Sequence, residues 1–245
     1  MKEEEVAPVS RRIVANGLPH HVLEWAVGAP RGSYYHFVDY VADLAALLDV
    51  LAGDAPVSLV GHSMGGTITT LYAGTFPERV ARLANLEGLG PPDNPFEVGP
   101  VRMRRWIEDL RRHAAQPPGA TLPREEARRR LVSNHPGVPE EVIGERLVHL
   151  VEETADGRVR WRVDALHRTT APVPFFAQLF MSFARAVTCP VLFVSGGETG
   201  FHVPDEEARL AAFTRLERTT LDGAGHMIHW TRPSELAERL VTFFA

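Results

Sequence analysis

The stretch Val57-Ser58-Leu59-Val60-Gly61-His62-Ser63-Met64-Gly65-Gly66 decides how the rest of the chain is read. Pro56 opens it, and the apolar, β-branched run that follows reads as a buried strand. The run passes into Gly61-His62-Ser63-Met64-Gly65, the G-x-S-x-G pattern of a nucleophile elbow, and Thr67 to Ala73 continue as a helix packed on the sheet. At such a turn the serine occupies strained backbone between strand and helix, so its hydroxyl stands clear of the sheet edge. Gly61 and Gly65 are expected where strand and helix cross too closely for a side chain. The amide of Met64, at the helix start, is the expected oxyanion donor and adds the positive end of the helix dipole. Ser63 is therefore the candidate nucleophile.

Upstream of the elbow, Arg11 to Asn16 and Leu18 to Val27 read as two strands with Asn16-Gly17 as a tight turn, and Gly28 to Ser33 as a loop. Val38 to Leu51 carries Val41, Leu44, Ala45, Leu48 and Leu51 at helical spacing. Downstream, Val80 to Glu87 is a further strand, stopped by Gly88. Between residues 91 and 187 helical patterns rich in Arg and Glu alternate with breaks at Pro117-Pro118-Gly119, Pro136-Gly137 and Asp156-Gly157. Pro123 and Pro139 there suit a first helical turn. Strand character resumes at Pro190 to Ser195. An acidic-started helix (Asp205 to Phe213), a strand (Leu216 to Leu221), a Gly-rich loop and a closing helix (Pro233 to Phe244, with Thr231 as its cap) follow. Strands alternating with helices predict an α/β fold, a mainly parallel sheet covered on both faces. Residues 1–90 and 188–245 form the expected core, and 91–187 a helical insertion.

Composition narrows the classes. A chain of 245 residues can bury a full core, and its net charge of −5 gives no reason to expect nucleic acid. No apolar run is long enough to span a bilayer, so no membrane partner is expected. Met1-Lys2-Glu3-Glu4-Glu5 lacks a signal-peptide pattern. Cys189 is alone, which excludes an internal disulfide and suits a reducing, cytoplasmic location. Set before Pro190 and an apolar run, it reads as a small buried hydrophobe.

Two segments together carry a family resemblance. Gly61-His62-Ser63-Met64-Gly65-Gly66 matches the usual elbow of the α/β-hydrolases, and Gly223-Ala224-Gly225-His226, just before the last helix, matches their histidine loop. The chain resembles that family from Val38 onward, with the insertion similar to its variable helical cap. The resemblance implies His226 as the base that takes the Ser63 proton and later returns it to the leaving group. His229 invites pairing with His226 around a metal, but no ligand spacing accompanies it, and neither metal nor cofactor is expected. His62 reads as a packing residue.

The acid of the triad is less direct. Many family members carry an Asp shortly after the strand equivalent to Pro190–Ser195, but counting back from Pro204 puts Gly200 at that place. Another branch, which includes the haloalkane dehalogenases, carries the acid at the end of the strand after the nucleophile helix. Here that position is Glu87, preferred over Glu198. Because the nucleophile is Ser63 and not the dehalogenases' Asp, halide displacement through an alkyl ester is not expected. Arg102, Arg104, Arg105, Arg111, Arg112 and Arg128 to Arg130 interleave with Glu108, Asp109, Glu125 and Glu126 as a solvated, paired face, with contacts to an anionic substrate as the alternative. Trp106, Trp161, Phe175, Phe176, Phe180 and Phe183 read as cap core, with one or two of them lining an acyl pocket as the alternative.

One departure from the family is large. Between the first hairpin and the helix before the elbow, members place two strands, a His-Gly loop that donates to the oxyanion, and an Asp-x-Arg-Gly loop. Here Val27-Gly28-Ala29-Pro30 passes almost directly to Arg31-Gly32, the apparent remnant of the later loop. The sheet is thus expected to be short of two strands and the oxyanion hole short of one donor, with an exposed strand edge favouring a homo-oligomer. The function expected is a serine hydrolase acting on a small-molecule acyl substrate, an ester or relative, with weak turnover. A non-catalytic binding module on the same scaffold is the alternative.

Overall fold

The computed structural model describes residues 9–15, 18–24, 35–115, 120–163 and 165–245. The expected turn at Asn16-Gly17, the segment Trp25 to Tyr34 and the break at Pro117-Pro118-Gly119 lie outside them. The chain forms two compact units, divided between Tyr34 and Tyr35. In the first, β1 (Val9–Ala15) and β2 (Leu18–Glu24) pair antiparallel from Val9 with Glu24 to Ala15 with Leu18. The first strand takes in Val9 and Ser10, ahead of the Arg11 start that the apolar pattern implies, and the expected ends at Asn16 and at Trp25 to Val27 lie outside the described residues.

The second unit is built on four strands in the order β3 (Val57–His62), β4 (Val80–Leu86), β7 (Val191–Ser195) and β8 (Leu216–Thr220), all parallel. Parallel neighbours need crossover connections. The crossover from β3 to β4 is α2 (Met64–Thr75), and that from β7 to β8 includes the short α7 (Glu206–Leu210). Among the described residues no strand pairs with the outer edge of β3, where Val60 is 48% exposed.

Strand alternation sorts the core into two layers. Leu83, Val191 and Phe193 join one apolar cluster with Leu48 of α1 (Phe37–Ala52), Tyr72 and Ala73 of α2, and Phe180 of α6 (Ala177–Ala186). Ala84, Leu86, Leu192 and Val194, one residue out of phase, join Ile228 of α8 (Ile228–Thr231) and Leu236 and Phe243 of α9 (Pro233–Phe244). The period-two switch of side chains is what covers both sheet faces with helices. α9 has the bounds read from the sequence, but Thr231 is not its cap: Arg232 takes that place, and the Thr231 hydroxyl donates to the Ala224 carbonyl at 2.7 Å.

The stretch after β4 contains α3 (Gly99–Ala114), α4 (Arg124–Asn134) and α5 (Glu140–Leu150). Pro123 and Pro139 cap α4 and α5 rather than entering their first turns. A small antiparallel pair, β5 (Val151–Glu153) with β6 (Val159–Trp161), is an addition that the helical pattern did not show. Leu131, Ile143, Leu147 and Val159 form a core of their own, with Trp161 and Trp230 against it. Phe180 and Phe175 pack instead with the main sheet cluster, because α6 lies on α2. Arg112, Arg128, Arg129 and Arg130 pair with Asp109, Glu125, Glu140 and Glu126, the solvated face expected.

Candidate active site

The candidate residues lie at the carboxyl ends of the parallel strands, where an open α/β sheet leaves a crevice. Ser63 follows β3 with φ 53° and ψ −122°, and Glu87 follows β4 with φ 53°. Among the described residues these are the two non-glycine positions with positive φ, a conformation costing on the order of 1–3 kcal/mol each. Each is held by its surroundings. The Ser63 amide donates to Leu86 O (2.8 Å), and its carbonyl accepts from Gly66 (2.9 Å) and Thr67 (3.2 Å). The Glu87 amide donates to Val194 O at 3.1 Å.

The glycines divide differently from the sequence reading. A Cβ on Gly61 would lie 2.4 Å from the Gly65 carbonyl oxygen, so close crossing does demand glycine there. A Cβ on Gly65 would meet nothing within 4 Å. The second tight contact belongs to Gly66, where a Cβ would come within 2.7 Å of Asn85 Oδ1 and 2.8 Å of Gly88 Cα. The helix turns its Gly66 face, not its Gly65 face, to the end of β4.

His226 sits in the loop after β8. The Gly225 amide donates to Gly196 O (2.9 Å), and His62 Nε2 donates to the His226 carbonyl (2.7 Å). The ring is thereby placed with Nε2 2.9 Å from Ser63 Oγ and Nδ1 3.1 Å from Glu87 Oε2. Glu87 is 3% exposed, and its carboxylate also accepts the amides of Gly196 and Phe201, each at 2.5 Å. Burial pushes this carboxyl up, but hydrogen bonds from His226, Gly196 and Phe201 outweigh it and hold the group below the ordinary carboxylate range.

Gly200 explains where that carboxylate fits. A Cβ there would lie 2.3 Å from Glu87 Oε1 and 2.9 Å from its Cδ. The acid reaching in from β4 thus fills the space that a side chain after β7 would claim, and the missing side chain at position 200 is the vacancy it uses. Glu198 is exposed and faces a separate cleft with His202 and Asp222. Met64 opens α2, a position whose N–H has no carbonyl partner within the helix.

The remaining histidines pack around this group. His62 lies 4.8 Å from the His226 ring and 4.5 Å from that of His229. Burial lowers the pKa of His62 and brings that of His229 to about 4, the latter with help from nearby His62, Arg146 and His226. Both are neutral rings at ordinary pH. Among the described residues no group of three or more His, Cys, Asp or Glu side chains is arranged to hold a metal ion. No helix among them is long and apolar enough to cross a membrane.

A family model described as alpha/beta hydrolase fold matches residues 24–233. The chain belongs to the alpha/beta hydrolase fold family. It is 29% identical over 211 residues to the mouse sn-1-specific diacylglycerol lipase ABHD11, covering 83% of this chain and 63% of that one. It is 43% identical over 80 residues to the 2-hydroxy-6-oxo-2,4-heptadienoate hydrolase of Pseudomonas putida, covering 33% and 28%. The chain thus spans less than two thirds of the length of either relative. Among solved structures, the hypothetical protein PA1622 of Pseudomonas aeruginosa PAO1 superposes with a TM-score of 0.77 at 26% identity, covering 93% of this chain and 81% of that one.

Two residues that hold this alpha/beta hydrolase site together were missed in the sequence. Asn85, fully buried, donates to Gly66 O, Thr70 Oγ1 and Gly88 O and accepts the Gly88 amide, locking the turn that carries Glu87 onto α2. Its signal was a lone amide inside an apolar strand. Arg209, also fully buried, donates to the carbonyls of Leu89, Gly90 and Pro91 and to Asp205. That guanidinium fixes the chain leaving Glu87, and on a short amphipathic helix it carried no signal.

Proposed function

We propose that the chain is a serine hydrolase that cleaves a small carboxylic ester or related acyl compound through an acyl-enzyme on Ser63. The observation that carries this reading is the continuous hydrogen-bonded line Ser63 Oγ, His226 Nε2, His226 Nδ1, Glu87 Oε2, at 2.9 and 3.1 Å. Neutral His226 with its proton on Nδ1 accepts the Ser63 proton at Nε2 as Oγ attacks the acyl carbon. The ionised Glu87 fixes that tautomer and stabilises the imidazolium that forms. The Met64 amide, at the positive end of α2, receives the developing oxyanion. The imidazolium then protonates the leaving group, and water retraces the steps to release the acid. Side chains handle each proton, so the reading calls on no cofactor.

The name of one relative supports an acyl substrate, since a diacylglycerol lipase hydrolyses an ester. The test is turnover of short acyl nitrophenyl esters by wild type and by His226→Ala. Turnover abolished in the variant is expected. Saturable binding with no turnover in wild type would replace the reading with a binding module.

A further inference from the structure

The loop that wraps Glu87 is closed by a residue outside the triad. Gly196 and Phe201 donate to the two oxygens of the carboxylate from the two ends of this loop. Between them the chain turns through the Gly200 amide bond to Gly197 O at 2.8 Å. His202, immediately after Phe201, places Nε2 2.8 Å from that same Gly197 carbonyl and Nδ1 2.8 Å from Glu206 Oε2 on α7. Both partners are acceptors. A neutral imidazole has one N–H and must turn a lone pair toward the other acceptor, so the full clamp needs both nitrogens protonated.

We propose, on the reading of Ser63, His226 and Glu87 as a triad, that His202 in its imidazolium form is a positioning residue, holding the Phe201 amide on Glu87 and releasing it when a proton is lost. The surroundings favour the cation. His202 shares a cleft of about 310 Å3 with Glu198 of its own loop, Glu206 and Glu207 of α7, and Arg218 and Asp222 of β8 and its following turn. Arg218 is engaged by Glu207 at 2.8 Å, and the carboxylates of Glu206 and, behind the loop, Glu87 act on the ring, with Glu198 and Asp222 lining the same cleft. The hydrogen bond to Gly197 O and that to Glu206 raise the imidazole above its ordinary 6.5. The sign follows: the clamp is complete at lower pH and is lost as pH rises through that raised value.

The experiment compares wild type with His202→Ala and His202→Arg, whose positions at the exposed ring favour folding of both. Nitrophenyl ester kcat/KM is followed from mildly acidic to alkaline pH. In wild type an alkaline fall of about 3- to 10-fold is expected, the worth of one net hydrogen bond. His202→Ala should sit at the lowered rate with no such fall, and His202→Arg, cationic throughout, should recover the rate and show no fall either. A second readout does not depend on turnover: the downfield Nδ1–H proton resonance of His226 should weaken across the same pH range in wild type and persist in His202→Arg. An alkaline limb of unchanged midpoint in His202→Arg, or a wild-type profile in His202→Ala, overturns the inference. If no form turns over ester, the triad reading fails on its own and the resonance decides the clamp: persistence through the His202 titration in wild type overturns it.

Discussion

The exchange between Glu87 and Gly200 can be tested as an exchange. Three N–H groups point at the Glu87 carboxylate, those of Gly196, Phe201 and His226. In Glu87→Gln one oxygen becomes an NH2, which in either orientation faces at least one of these donors. If it faces the Oε2 side, His226 is driven to carry its proton on Nε2, where it can no longer accept from Ser63. A wrong tautomer of this kind costs about 10⁴ in rate, or roughly 5 kcal/mol of transition-state stabilisation. The orphaned buried donors cost about 1–3 kcal/mol of stability, a fraction of the about 5–15 kcal/mol of a typical domain, so the variant folds. Gly200→Asp alone should be inactive and destabilised, because its Cβ falls 2.3 Å from Glu87 Oε1. Glu87→Ala with Gly200→Asp removes the obstacle and supplies a carboxylate to the same space. That double variant should recover about 10²-fold over Glu87→Ala alone in nitrophenyl ester turnover, part of the about 10⁴ at stake. Glu87→Gln within tenfold of wild type, or no recovery in the double variant, would refute the reasoning.

Three further outcomes follow from the geometry. Gly61→Ala should lose about 1–3 kcal/mol by overpacking against Gly65 O, whereas Gly65→Ala, with open space at its Cβ, should be neutral or gain up to about 1 kcal/mol in the helix; urea midpoints separate the two. Glu87, lowered below its ordinary 4.5, lends stability that is present above that value and lost as pH falls through the folded one. Denaturation midpoints taken down the acid range should fall more steeply in wild type than in Glu87→Gln. Arg209→Met should destabilise by about 3–5 kcal/mol, since the carbonyls of Leu89, Gly90 and Pro91 and the Asp205 carboxylate lose a shared buried cation; a thermal midpoint within a degree or two of wild type would contradict this.

The sequence made the scaffold legible where local signals agreed with the tertiary ones. The strand-elbow-helix at 57–75 and the histidine loop after β8 combine period, glycine and motif, and both stand where the pattern places them. Glu87 was singled out through the resemblance to a family branch with its acid at this strand end, once Gly200 stood at the other branch's place, and nothing in Asn85-Leu86-Glu87-Gly88 announces the left-handed backbone that turns its side chain across the sheet end. Gly66 and Arg209 were invisible for a related reason, and Asn85 showed only as a lone amide in an apolar strand. Their roles arise from contacts between β4, α2 and α7 that are distant in sequence, and a glycine in a helix or an arginine on a short one has several ordinary explanations. The small β5–β6 pair was hidden because its two three-residue strands are too short to show a period.

The central claim is that Ser63 is a nucleophile activated by His226. The most direct measurement is labelling by a fluorophosphonate, read as intact mass and then located by peptide mapping. Wild type is predicted to gain one phosphonyl group, on the peptide containing Ser63, while Ser63→Ala gains none and His226→Ala labels more slowly by orders of magnitude. Equal labelling of wild type and Ser63→Ala, or a label mapped to any other residue, would contradict the account.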